Sequence, residues 1–211
     1  MNPKEKKKNR FVKAWMADHV NDPCVKEATR LGYRSRAAFK LLELADKDKL
    51  FRPGMSVVDL GAAPGSWTQV LRERLGPKAV IVAIDLLAMA PVEGVTFVQA
   101  DFREEDGLAA LENTLGNRRL DLVVSDLSPN LSGVEAADQA RSVHLGELAL
   151  EFGKVWLKPG GDLVVKAFQG EGFAEFRHVT DRHFAKVYVR KPKASRDRSR
   201  EVYVVAKGLK T

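Results

Sequence analysis

Residues 56–67 read SVVDLGAAPGSW: a short β-forming run, Ser56–Leu60, enters the small-residue turn Gly61-Ala62-Ala63-Pro64-Gly65, and a helix-forming stretch starts near Ser66. Small residues in a strand-to-helix turn let the backbone approach a ligand closely. A dinucleotide site would carry the tighter G-x-G-x-x-G. Here the glycines stand four apart and a proline stiffens the turn, which argues against NAD. Such glycines also serve turn geometry alone, so the acidic residues around the loop decide its reading.

Outward from this turn, β-rich runs alternate with helical stretches. Val80–Asp85, Val95–Gln99, Leu120–Ser125 and 162–168 read as further strands, the pattern of a parallel, doubly wound sheet. Residues 186–189 and 201–206 read as two last strands joined by the basic loop KPKASRDRSR, with no crossover helix between them, so their pairing is expected to be antiparallel. The expected architecture is α/β: a Rossmann-like, mostly parallel seven-stranded sheet, an antiparallel carboxyl-terminal hairpin, helices on both faces, and a cleft at the carboxyl ends of the strands. Toward the amino end, residues 22–46 have helical spacing, with Ala37, Leu41 and Leu44 on one face and Ser35 as a candidate N-cap.

Composition fits one domain, residues 11–211, behind a basic mobile tail at residues 1–10. The chain has 211 residues, 45% of them hydrophobic and 30% charged, enough for one substantial core. The formal charge of +7 points to a polyanionic partner. Cys24 is the sole cysteine and the four histidines have no metal-ligand spacing, so neither a disulfide framework nor a structural metal site is expected. The amino terminus lacks an apolar signal region, and the longest apolar run, 79–84, is too short to cross a bilayer. A soluble, cytoplasmic monomer with no membrane partner is the expectation.

Three aspartates end successive strands. Asp85 follows the glycine turn by about 20 residues, where a carboxylate accepts hydrogen bonds from adenosine ribose hydroxyls. Asp101 closes VTFVQAD, placed for an adenine amino group, and Asp126 closes LDLVVSD at the mouth of the same cleft. Each could also be a solvated strand cap; their convergence favours a ligand.

The motifs VDLGAAPGSW, AIDLL, QADFR and SDLSPN resemble the FtsJ/RrmJ family of S-adenosylmethionine-dependent 2'-O-ribose methyltransferases, and the resemblance runs from about residue 10 to the end of the chain. It implies S-adenosyl-L-methionine as cofactor, held by Gly65, Trp67, Asp85, Asp101 and Asp126, with Gly61 in the same loop. Ser66 stands where the family commonly has glycine. The resemblance further carries Lys40 (in RSRAAFKLLEL), Asp126, Lys166 and Glu201 onto the family's Lys-Asp-Lys-Glu tetrad. It implies ribosomal RNA as partner: a uridine in the A-loop of 23S rRNA, within the large subunit.

The residues have readings of their own. Lys166 lies inside LVVKAF, where a buried ammonium is costly unless it is paired or faces a cleft; snorkelling from the strand end is the plainer alternative. In the tetrad it serves either as general base for the attacking hydroxyl or as an electrostatic steerer of the oxygen. Lys40 also fits a solvated helix face, and Glu201 a cross-strand partner for an arginine. Arg30, Arg34, Arg36 and Lys40 cluster near the amino end, and Arg190, Lys191, Lys193, Arg196, Arg198 and Arg200 precede Glu201; both clusters suit phosphate contacts around a target nucleotide. Two rivals stay open: a base or protein methyltransferase, against which Asp126-Leu-Ser-Pro lacks the Asn/Asp-Pro-Pro-aromatic pattern of adenine amino methylation, and a non-enzymatic RNA-binding assembly factor.

Overall fold

The computed structural model describes residues 22–130, 132–196 and 199–211; the expected basic tail at 1–10 lies outside them. Among the described residues six helices and seven strands follow one another as α1 (Pro23–Arg30), α2 (Ala37–Asp48), β1 (Ser56–Leu60), α3 (Ser66–Leu75), β2 (Val80–Asp85), β3 (Val95–Gln99), α4 (Glu105–Leu115), β4 (Leu120–Ser125), α5 (Glu135–Trp156), β5 (Leu157–Phe168), α6 (Phe173–His183), β6 (Phe184–Arg190) and β7 (Glu201–Leu209). The strands form one sheet in the order β3-β2-β1-β4-β5-β7-β6. β1 to β5 pair in parallel, while β7 is antiparallel to both β5 and β6.

Alternation along the central strands builds a core on each face. Val58 and Leu60 of β1, with Leu163 and Val165 of β5, pack under α4, α5 and α6 through Leu111, Leu115, Ala149, Leu150 and Phe176. Val57, Val164, Tyr203 and Val205 face the other way, under Leu41 and Leu44 of α2 and Trp67, Val70 and Leu71 of α3. The expected two-faced α/β sheet with its antiparallel hairpin is therefore the fold.

The last two strands are longer than the sequence reading, Phe184–Arg190 against 186–189 and Glu201–Leu209 against 201–206, and two larger differences stand beside them. The helical region 22–46 divides in two. Asp22 caps α1 through its side chain, which accepts from Cys24 N, and the chain then turns at Gly32. The N-cap position of α2 is Arg36 rather than Ser35, although the Ser35 hydroxyl still accepts from Ala37 N. β5 begins at Leu157, ahead of the expected 162, because Leu157 already pairs with Leu120 before the register shifts around the Pro159-Gly160-Gly161 bend.

Candidate active site

β1, β2 and β4 end at the same edge of the sheet, and the turns that follow them open a cleft of about 570 Å3, within the usual range for small-molecule sites. Gly61, Asp85, Asp101 and Asp126 all line it. Gly61 has φ +78°, and a Cβ there would meet Leu127 at 2.8 Å, so the cleft floor tolerates no side chain. Asp85 accepts from Ala63 N and Leu87 N, which fixes its carboxylate between the glycine turn and the segment after β2. The Arg103 guanidinium, donating to both oxygens of Asp101, holds that carboxyl below the usual range. Ile84, Leu86, Phe102 and Leu145 supply apolar surface, and Arg141 and His144 on α5 add a polar edge that the sequence reading did not single out.

Two expected cofactor contacts stand apart from this wall. Trp67 is buried under α2, donates its indole N–H to Ala37 O and packs 5.6 Å from Tyr203, centroid to centroid. Gly65, at φ +107°, lies beneath Arg34 and Met89. Their side of the turn belongs to the core, because α3 presents its first turn to α2. Ser66, at the start of α3, shares a 2.7 Å hydrogen bond with Ser35.

Lys40, Asp126, Lys166 and Glu201 meet on the sheet face covered by α2 and α3. The backbone explains why: Lys166 on β5 is the direct antiparallel partner of Tyr203 on β7, and Glu201 lies two residues away on the same face. Lys166 Nζ donates to Asp126 O at 2.6 Å and lies 3.2 Å from Asp126 Oδ1. Lys40 Nζ lies 2.7 Å from Glu201 Oε1 and 3.3 Å from the Tyr203 hydroxyl. Tyr203 joins the two pairs, its hydroxyl donating to Asp126 Oδ1 at 2.7 Å. Burial first, then the carboxylates of Asp126 and Glu201, hold this phenol well above its ordinary pKa, so it remains a neutral donor. Ser195 Oγ donates to Glu201 Oε1 at 2.8 Å.

Around the tetrad, Tyr203 and Ser195 are residues that the sequence reading missed, as it missed Arg141 and His144 at the cleft. Tyr203 carried a signal, since the alternation in EVYVV puts it on the face of Glu201. Ser195 had none, because a loop has no period. Asp126 alone of the tetrad also lines the cleft, so it marks the border between the two halves of the site.

Deeper in β1, Asp59 is fully buried. Thr68 donates to one of its oxygens and the other has no partner among the described residues. Burial, added to by the carboxylates of Asp126 and Asp85 against the lowering effect of the Thr68 bond, raises its pKa from 3.8 to about 7.

The structure revises the first basic cluster. Arg36 pairs with Asp22 and Arg34 donates to the carbonyls of Pro64, Ala90 and Pro91, so these two guanidinium groups are engaged within the fold, whereas Arg30 pairs with Glu27 on the exposed face of α1. In the second cluster Arg190 pairs with Asp48 at 2.6 Å and stacks on Tyr188, Arg200 pairs with Glu135, and Lys191 donates to Ser199 O. Lys191, Lys193 and Arg200 are exposed beside the tetrad, and Arg198 lies outside the described residues.

Strand order and cleft define a Rossmann-like α/β domain of the class that binds a nucleoside-containing ligand at the carboxyl edge of its sheet. The profile of the FtsJ-like methyltransferases matches residues 33–209, and the chain belongs to that family. It is 56% identical over 204 residues to the ribosomal RNA large subunit methyltransferase E of Azoarcus sp. (strain BH72), covering 97% of this chain and 100% of the relative. It is likewise 56% identical over 208 residues to the protein of that name in Bordetella pertussis (strain Tohama I), covering 96% and 99%. A solved structure described as a ribosomal RNA methyltransferase from Plasmodium falciparum matches with a TM-score of 0.74 at 28% identity, covering 84% of this chain and 98% of that one.

Proposed function

We propose that this chain transfers a methyl group from S-adenosyl-L-methionine to a ribose 2'-hydroxyl of ribosomal RNA, at a uridine in the A-loop of 23S rRNA within the large subunit. The observation that carries the reading is Asp126, which lines the cofactor cleft and also joins the Lys166 and Tyr203 side chains. The family and the names of the relatives support the same reaction class.

The cleft suits this cofactor on its own chemistry. A floor closed to any Cβ at Gly61, apolar surface from Ile84 and Phe102, and acceptors at Asp85 and Asp101 fit an adenosine. The negative charge of Asp85 and Asp126 fits a cationic ligand. When bound, the cofactor supplies an electrophilic methyl on a sulfonium. Gly61, Asp85, Asp101 and Asp126 would hold it, while Gly65 and Trp67 shape the turn beneath.

The chain's own residues then orient and deprotonate the nucleophile. As an amine, Lys166 has two N–H bonds and one lone pair. Asp126 O and Oδ1 are placed to accept both N–H bonds, leaving the lone pair for the proton of the ribose hydroxyl. Lys166 would take the proton of the ribose hydroxyl as that oxygen accepts the methyl that the bound cofactor would supply. Glu201 and Tyr203 hold Lys40 at the other side of the acceptor position, where its charge steers the oxygen. Lys191, Lys193 and Arg200 would contact backbone phosphates. We assign residues 11–211 to one such domain, acting as a cytoplasmic monomer; among the described residues no helix is long and apolar enough to cross a membrane.

The test is a map of 2'-O-methylation in ribosomal RNA from cells with and without this gene, paired with methyl transfer by the purified protein to free 23S rRNA and to isolated large subunits. One A-loop uridine that loses its mark without the gene and regains it in vitro supports the reading. An unchanged map overturns it.

A further inference from the structure

Arg34 was read from sequence as a phosphate contact, yet its guanidinium is engaged by carbonyls of the protein's own loops. Nη1 donates to Pro64 O at 3.0 Å and to Ala90 O at 2.7 Å, and Nη2 donates to Pro91 O at 2.9 Å. Pro64 belongs to the glycine turn after β1, and Ala90 and Pro91 to the segment after β2; Gly61 and Ala63 of the first and Leu86 and Leu87 of the second line the cofactor cleft, so the three carbonyls lie behind its two walls. Residues 86–94 form no helix or strand, and Leu86 and Leu87 are exposed, so this second wall has little regular structure to hold it.

Behind the first wall, the core side of the turn is shaped around the same side chain. A Cβ on Gly65 would fall 2.3 Å from Arg34 Nη1 and 2.7 Å from Met89 Sδ, so the turn, the guanidinium and the second wall are stacked without a gap. Arg34 is itself fixed from behind. Its backbone N–H donates to Gln69 Oε1 at 2.9 Å, and Gln69 Nε2 donates to Gly32 O at 3.0 Å, which binds residues 32–34 to α3. A planar fork is suited to bridging three carbonyls on two segments, and a lysine ammonium on a flexible stem is not.

We infer that Arg34 is a positioning residue for the cofactor: it straps the turn at Pro64 to the segment at Ala90 and Pro91, and so sets the spacing of the two walls between which the nucleoside lies. This rests on the cofactor reading above. Because the strap sits in the link between α1 and α2, the chain that carries Lys40 is anchored at the cofactor turn.

The test separates the two ligands by direct binding. S-adenosylhomocysteine affinity is measured by calorimetry and RNA affinity by filter binding, for wild type, Arg34→Lys, Arg34→Ala and Gln69→Leu. The strap predicts that Arg34→Lys, with its charge kept, weakens S-adenosylhomocysteine about 10- to 100-fold, and that RNA affinity stays within about 2-fold. Gln69→Leu, which spares the guanidinium, shifts the same affinity in the same direction by a smaller factor and serves where Arg34→Ala does not fold. In turnover, Arg34→Lys raises KM for the cofactor more than it lowers kcat. Wild-type cofactor affinity in Arg34→Lys, or a loss confined to RNA in Arg34→Ala, overturns the strap. Failure of the wild-type protein to bind S-adenosylhomocysteine would overturn the cofactor reading itself, and the strap with it.

Discussion

At the scale of single residues, the site is a chain of contacts running from Lys166 through Asp126 and Tyr203 to Lys40 and Glu201. Replacing Lys166 by alanine removes the proposed base without changing a residue that lines the cleft. Single-turnover rates should fall roughly 10²-fold or more, with S-adenosylhomocysteine affinity little changed; near-normal turnover would reject the assignment. Tyr203→Phe keeps the ring against Trp67 and deletes the hydroxyl that spaces Asp126 from Lys40. We expect kcat to drop about tenfold, with a stability loss of about 1–3 kcal/mol in urea titration, since buried partners are left unpaired. The four tetrad positions were legible in the sequence through resemblance to a family, each in its own motif. Arg34 was legible only as a charge. That its donors go to carbonyls, not phosphates, depends on a loop geometry that composition does not encode.

At the scale of elements, the strands were the easier part to read. β1 to β4 are bounded by glycine, proline and acidic residues at the positions where pairing ends, so their limits follow from the local pattern. The region 22–46 was harder, because Gly32 breaks a helical period that continues on both sides of it. α4 shows how an element without any catalytic residue shapes the cleft. Gly107 lies so close to the strand-end turn that a Cβ would meet Asp101 O at 2.0 Å and Asp101 C at 2.7 Å. Both contacts are backbone, so relief requires α4 or the Asp101 turn to move. Gly107→Ala should therefore raise the dissociation constant for S-adenosylhomocysteine and lower the melting temperature together. A variant that binds and melts like wild type would show that the turn yields freely.

At the scale of the whole molecule, the acids beneath the cleft tie stability to pH. The value of about 7 for Asp59 against an ordinary 3.8 means that the fold holds an extra proton in between, so the contribution of this residue is fully present below about 4 and is lost as pH rises toward 7. Asp59→Asn should then stabilise the cofactor-free protein above pH 7 by the order of a few kcal/mol. That gain should vanish near pH 4, as read by denaturant titration across the range; a pH-independent difference would assign the effect to packing instead. The global arrangement was readable as a parallel sheet with a closing hairpin, but not the insertion of β7 between β5 and β6, which depends on partners distant in the chain. That insertion governs the order in which the protein can be assembled during translation. β6 is synthesised with its sheet neighbour still unmade, and must wait for the strand that follows it. All three cleft acids and Lys166 precede that wait, whereas Glu201 and Tyr203 arrive with the last strand. A nascent polypeptide interrupted before β7 thus has every cleft carboxylate and three of the four tetrad residues, and no means of turning over.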